Sequence, residues 1–379
     1  MDHSDFYREA LVIDEDTEPV SVALPRAREM DGLIASQIRD LVGQTLESSA
    51  GGWEAVLEET LEEIDAPSLD AEIEETARNE KTEAMETLAT GRFSVLKGSA
   101  GTGKTTVVWA LLSGIQADAG RRRTLLLAPT GKARVQLERA TDKEAQTIHQ
   151  FLMQHDWIEG ETYRFQQEDG ETVGVYTVIV DEASMVPTDL LATLLRALDL
   201  EQVKRLIFIG DPNQLPPIGP GRPFFDIVRW LEDEHPDRVA ELTQQVRHRE
   251  SGGQARQLAE VYAGERNDVD DEILSKIARA DLTGDLEVHY WEDFDGLNER
   301  LDAALQDILD AQNASSERAA FDASLGYGGG PNDAENWQIL TRVGSDRTEH
   351  RQSIVDSSTD IVVSKCRAVR QLLLVTNSS

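Results

Sequence analysis

The 379-residue chain has room for two or three domains and a sizeable core, and its 40% hydrophobic content fits a globular protein. Its single cysteine, Cys366, excludes an intramolecular disulfide, and no stretch approaches the roughly 18 apolar residues of a membrane span. Seventy-one Asp and Glu against 37 Lys and Arg leave a formal charge of −34, and only 8 of the basic residues are lysines. Dense, dispersed carboxylates with scarce lysine predict a surface adapted to concentrated salt, where counterions screen the self-repulsion. The plain alternative is an acidic mesophilic protein. The start, Met1-Asp2-His3-Ser4-Asp5, lacks a signal peptide's basic and apolar regions, so a cytoplasmic protein is expected.

Residues 1–78 carry no catalytic motif. Apolar residues at helical spacing (Leu33, Ile34, Ile38, Leu41, Val42, Leu46, then Trp53, Val56, Leu57, Leu61, Ile64) predict two helices, broken at Ser48–Gly52 and stopped by Pro67. This region is expected to be a small helical appendage. From about residue 79 strands and helices alternate. Strands are predicted at Ser94–Leu96, Thr124–Ala128, Thr177–Val180 and Arg205–Ile209, with helices near 104–118, 131–140 and 188–199. That order predicts an α/β fold, a parallel sheet covered by helices on both faces. The first α/β domain is placed at 79–235 and a second at 236–343. In the second, helices are predicted near 254–263 and 295–312, strands at Leu286–Trp291 and Trp337–Leu340, and a loop at Gly326–Pro331.

The last stretch, 344–379, differs in texture. Val343–Ser379 is slightly basic in a chain that is otherwise uniformly acidic. Such a tail is expected either to dock or to be foreign to the original gene.

Gly98-Ser99-Ala100-Gly101-Thr102-Gly103-Lys104-Thr105 is a complete Walker A sequence between a predicted strand and a predicted helix, and Thr106 follows it. Its glycines let backbone N–H groups turn inward as an anion nest at a helix N-terminus. Lys104 suits the β- and γ-phosphates of ATP, and Thr105 suits Mg²⁺. The apolar strand Thr177–Val180 delivers Asp181 and Glu182 at its C-terminal end, where open α/β sheets bind ligands. Asp181 suits a Mg²⁺ ligand and Glu182 an activator of the attacking water. A third strand runs into Gly210-Asp211-Pro212-Asn213-Gln214-Leu215-Pro216-Pro217. A plain turn explains most of those residues but not Gln214, whose amide suits sensing the γ-phosphate or positioning water.

Together these segments resemble the superfamily 1 DNA helicases, in particular their RecD-like branch, over about residues 79–343. Ala128–Ala133 looks like motif Ia, Thr147-Ile148-His149 like Ib, Asp181–Met185 like II, Gly210–Pro217 like III and Leu242–Arg247 like IV. The resemblance implies RecA-like lobes with ATP and Mg²⁺ between them and single-stranded DNA across the top, moved 5′ to 3′. It makes Arg247 an arginine finger and Pro129, Thr130 and His149 DNA contacts, and implies recombination or repair subunits as further partners. Lys81 stands where that family carries an adenine-reading Gln, and no counterpart of motifs V and VI is found. The expected function is therefore an ATP-dependent DNA helicase, with a truncated nucleotide-binding fragment, its second lobe partial, of weak ATPase activity and no independent unwinding as the alternative.

Overall fold

The computed structural model describes residues 12–14, 21–46, 52–63, 71–119, 124–158, 170–214 and 216–244, then 274–279, 286–291, 337–341, 361–365, 371–376 and a few single positions. The chain divides into two compact units, Met1–Arg247 and His248–Ser379.

The first unit opens with an antiparallel pair, β1 (Val12–Asp14) and β2 (Ser21–Ala23). Three helices follow: α1 (Pro25–Val42), α2 (Trp53–Glu63) and α3 (Ala71–Thr90). Strands and helices then alternate through β3 (Phe93–Gly98), α4 (Lys104–Ala119), β4 (Thr124–Ala128), α5 (Gly131–Thr141), β5 (Gln146–Thr147) and α6 (Ile148–Gln154). The alternation continues through β6 (Thr177–Val180), α7 (Thr188–Ala197), β7 (Arg205–Gly210), α8 (Pro223–Glu234) and β8 (Val239–Leu242). Strand order across the sheet is β5-β4-β6-β7-β3-β8, and every neighbouring pair is parallel. This is the P-loop α/β architecture expected from the sequence.

Alternation along the strands explains why both faces are dry. Val178 and Val180 of β6, with Leu206 and Phe208 of β7, enter one core, while Ile179, Ile207 and Ile209 enter the other. Strands buried on both sides read as unbroken apolar runs, as these do.

The N-terminal helices are part of that core, which corrects the expectation of an appendage. On α1, Met30, Ile34, Ile38, Leu41 and Val42 join the first core. Trp53 and Leu57 of α2, with Met85 and Leu88 of α3, join the second on the opposite face. Trp53 lies so close to Gly114 of α4 that a Cβ there would overlap its ring. Periodicity shows that a helix has an apolar face; it does not show which sheet face that stripe covers.

The sequence reading opens the second domain at 236, but β8 pairs with β3 in the first sheet, with Val95 opposite Val239 and Gly98 opposite Leu242. Buried Arg238 reinforces the placement, donating from Nε to the Val42 carbonyl at 3.1 Å and from Nη2 to Thr45 Oγ1 at 2.7 Å. The chain therefore divides after Arg247.

In the second unit, β9 (Leu286–Trp291), β10 (Trp337–Thr341), β11 (Ile361–Lys365) and β12 (Gln371–Thr376) form a sheet in the order β10-β11-β12-β9. β12 runs parallel to β9, and the other two pairs are antiparallel. Two of these strands come from the segment that its charge sets apart. The helices expected near 254–263 and 295–312 and the loop at Gly326–Pro331 lie outside the described residues, single helical positions such as Glu299 and Arg300 excepted. Among the described residues no helix is long and apolar enough to cross a membrane.

Candidate active site

The P-loop leaves β3 at Gly98 and enters α4 at Lys104. Gly101 and Gly103 have φ of 82° and 92°, a region in which a side chain is strained. A Cβ on Gly98 would stand 2.8 Å from both the Leu242 carbonyl and Thr102 Oγ1. These glycines allow a backbone cradle that other residues would fill. Thr102 Oγ1 closes it by donating to the Ser99 carbonyl at 2.9 Å. Lys104 Nζ lies folded into the loop, donating to the carbonyls of Gly98 at 2.6 Å and Ser99 at 3.0 Å. Burial lowers the Lys104 pKa, opposed by the charges of Glu182, Asp211 and Asp181. The ammonium therefore feels the charge of three carboxylates.

Sheet order explains how those carboxylates arrive. β7 lies between β3 and β6, so the segment leaving β7 emerges between the P-loop and the Asp181–Glu182 turn. Asp181 follows β6 directly, and its N–H donates to the Leu127 carbonyl at 2.9 Å. Burial pushes the Asp181 carboxyl up to about 6, with the neighbouring Glu182 charge adding to the rise; the Glu182 N–H and Lys104 oppose it. Glu182 N donates to Asp181 Oδ1 at 2.9 Å and takes left-handed backbone angles, φ 50° and ψ 39°, uncommon for a residue with a side chain. Its Oε2 is buried without a hydrogen-bond partner, as is Ser184 Oγ beside it. A desolvated aspartate next to an orphaned carboxylate oxygen, at the foot of an anion cradle, suits a divalent cation carried with a polyphosphate. Asp181, with Thr105 in the first turn of α4, would hold Mg²⁺, which would neutralise phosphate charge.

Asp211 supplies the third charge felt by Lys104. Asp211 is almost fully buried and shapes the turn, its Oδ1 accepting from Asn213 N at 2.9 Å and its carbonyl from Gln214 N at 3.1 Å. The Gln214 side chain instead lines a small cleft with Ser184, Arg222 and Phe224. Asp211 was hidden in the sequence because an Asp in a Gly-Asp-Pro-Asn turn needs no other explanation. Arg247 lies outside the described residues, at the last position of the first unit.

The three expected DNA contacts meet at one sheet edge. Ala128 pairs with Thr147, so Pro129-Thr130 and Ile148-His149 leave adjacent parallel strands side by side. Thr130 is the N-cap of α5, its hydroxyl accepting from Ala133 N at 3.2 Å. Thr147 caps α6 in a reciprocal capping box with Gln150. His149 is exposed at the surface but partly covered; that cover lowers its pKa, and Asp189 opposes. Ile218, fully exposed, tips the loop whose Gly219 packs on Pro187, one residue from the Thr188 that starts α7.

A phosphate cradle with its lysine, a carboxylate pair on a neighbouring strand and the intervening sheet order define a P-loop nucleotide-binding protein of the RecA-like class. The chain belongs to the AAA domain family, which it matches over residues 76–282, more than half its length. An uncharacterized protein of Methanocaldococcus jannaschii is 36% identical over 182 residues, covering 46% of this chain and 16% of that one. The RecBCD enzyme subunit RecD of Mycolicibacterium smegmatis is 34% identical over 182 residues, covering 42% and 31%. The ATP-dependent RecD2 DNA helicase of Deinococcus radiodurans is 31% identical over 156 residues, covering 40% and 20%. The aligned region thus spans less than a third of each of these relatives.

Proposed function

We propose that the chain is the motor region of an ATP-dependent DNA helicase of the RecD-like type, hydrolysing ATP with Mg²⁺ to move on single-stranded DNA. The observation that carries this reading is the juxtaposition of two surfaces at one sheet edge. Lys104, Asp181, Glu182 and Asp211 follow the C-terminal ends of β3, β6 and β7, and Pro129, Thr130 and His149 follow those of β4 and β5, with β4 next to β6. Two of the relatives carry RecD or RecD2 helicase names, which supports the choice of DNA over another cargo.

In this reading the N–H groups of Gly98–Thr106 bind the phosphates, and Lys104 exchanges its two carbonyl partners for phosphate oxygens. Glu182 takes a proton from the attacking water, its unpartnered Oε2 being the acceptor, and Gln214 orients that water or reports the γ-phosphate. Arg247 neutralises charge developing on the transferred phosphoryl group. The acidic surface suits cytoplasm rich in salt, where phosphate contacts lose most of their counterion-release benefit and stacking carries more of the affinity. Other recombination or repair subunits are the partners that such a motor serves.

Anisotropy of labelled oligo(dT) in molar KCl tests the reading. Binding whose affinity differs between ADP and a non-hydrolysable ATP analogue supports it. Nucleotide binding without DNA binding at any salt leaves only a nucleotide-binding module.

A further inference from the structure

The first unit also carries an open groove of about 460 Å³ between α1, α8 and the start of α7. That volume lies within the range of ligand-binding clefts. On α1 the lining follows helical spacing. Met30, Ile34 and Ile38 are buried at its base, and Ala27, Asp31, Ala35 and Arg39 stand more exposed, each four residues from the last. Across from them, α8 contributes buried Pro223 and Ile227, with Asp226 and Trp230 nearer the surface. From Ala27 to Arg39 the row runs about 18 Å at the rise of a helix, so the groove is long rather than round. Alanine at two of its four positions leaves room for another backbone to come close.

The third wall is built and stiff. The Thr188 N–H donates to the Pro220 carbonyl at 2.9 Å, and a Cβ on Gly221, where φ is 82°, would overlap Thr188 Oγ1. Charge is sorted along the groove. Asp31 and Asp226 lie on opposite walls, and burial, with the Asp226 charge adding to it, raises the Asp31 carboxyl. Burial also raises Asp226, against the pull of Arg222 and Arg229. Neither carboxylate makes a salt bridge among the described residues. Farther along, Arg39 lies over the Trp230 ring, 5.9 Å from its centroid.

We propose that this groove docks a basic amphipathic helix of a partner protein, its apolar stripe on Ile34, Ile38 and Ile227 and its lysines or arginines beside Asp31 and Asp226. Helices held in this way present anchors at i, i+3, i+4 and i+7, which matches the length and spacing of the α1 wall. Charge selects the occupant. A cation there relieves two partly desolvated carboxylates that repel each other, which an uncharged apolar molecule does not do. A second copy of this chain, with 71 acids against 37 bases, brings more of the wrong sign.

The test is fluorescence anisotropy of a labelled peptide of about 14 residues, with leucines at that spacing and lysines at one flank, titrated with the full chain. Molar KCl screens loose attraction to a chain of charge −34 more than it screens a partly covered pair. Binding on the order of 10 μM or tighter is expected. Ala35→Trp, which obstructs the groove, should weaken it roughly tenfold or more. Asp31→Lys should weaken it as well, while binding a matched peptide with glutamates for lysines better than the wild type does. As an exposed charge reversal, Asp31→Lys gives the reading if Ala35→Trp does not fold. The proposal is overturned by no binding at on the order of 100 μM, by unchanged affinity in both variants, or by equal binding of a peptide whose leucines are scrambled out of helical spacing. Self-association of the chain that Ala35→Trp abolishes would give the groove to a second copy and overturn it too.

Discussion

Replacing Asp181 by Asn should stabilise the metal-free protein while abolishing turnover. The carboxyl sits at about 6 in the folded chain against 3.8 unfolded. Between those values the folded state holds a proton that the unfolded state has released, so stability falls as pH rises from 3.8 through 6. The free-energy cost of keeping this aspartate grows from about 1 kcal/mol at pH 4.5 to about 3 kcal/mol at pH 7.5. Asparagine resembles the protonated acid in shape and retains an acceptor for the Glu182 N–H, so it should recover most of that cost. The carboxylate keeps some exposure to the cleft, which makes about 3 kcal/mol an upper value. Urea unfolding at pH 4.5 and 7.5 in EDTA measures the difference directly. The variant should gain more stability at pH 7.5 than at 4.5, and the extra stability that MgADP confers on the wild type should shrink. A variant that is less stable at both pH values would show that Asp181 holds the fold, and would refute the placement of a desolvated metal ligand there.

Three further outcomes follow from the geometry. Lys104→Ala should leave the melting curve unchanged and reduce ATP turnover to background, whereas Glu182→Gln and Gln214→Ala should lower kcat with little change in nucleotide affinity. Gly103→Ala places a side chain at φ 92° and against Lys81, costing roughly 1–3 kcal/mol of stability together with ADP binding, as a melt and a titration would show. Thr130→Ala should lose about 1 kcal/mol of stability through its helix cap as well as DNA affinity, while His149→Ala should weaken oligo(dT) binding with the fold unaffected.

The P-loop core was legible because its signals are local. Val178–Val180 and Leu206–Ile209 are unbroken apolar runs, as a strand covered on both faces requires, and Gly101 and Gly103 carry positive φ where the P-loop motif has its glycines. Features made by chain crossings were not legible. The wrapping of α1 around one face and of α2 and α3 around the other depends on surfaces far away in sequence. Asp211 became visible only when sheet order brought the end of β7 between the P-loop and the Asp181–Glu182 turn. β8 looked like the start of a second domain because its four residues are too short to declare a partner. Glu80 was one acid among 71 until Thr243 and Gln244 were seen to fold back onto it.

The central claim is that the phosphate cradle and the edge formed by Pro129, Thr130 and His149 act as one coupled site. Steady-state ATP hydrolysis by the 379-residue chain, titrated with oligo(dT) in molar KCl and Mg²⁺, tests it most directly. The account predicts hydrolysis that rises several-fold or more as single-stranded DNA saturates the protein, with the stimulation lost in His149→Ala and all turnover lost in Lys104→Ala. Hydrolysis that depends on Lys104 but is indifferent to DNA at every concentration would contradict it.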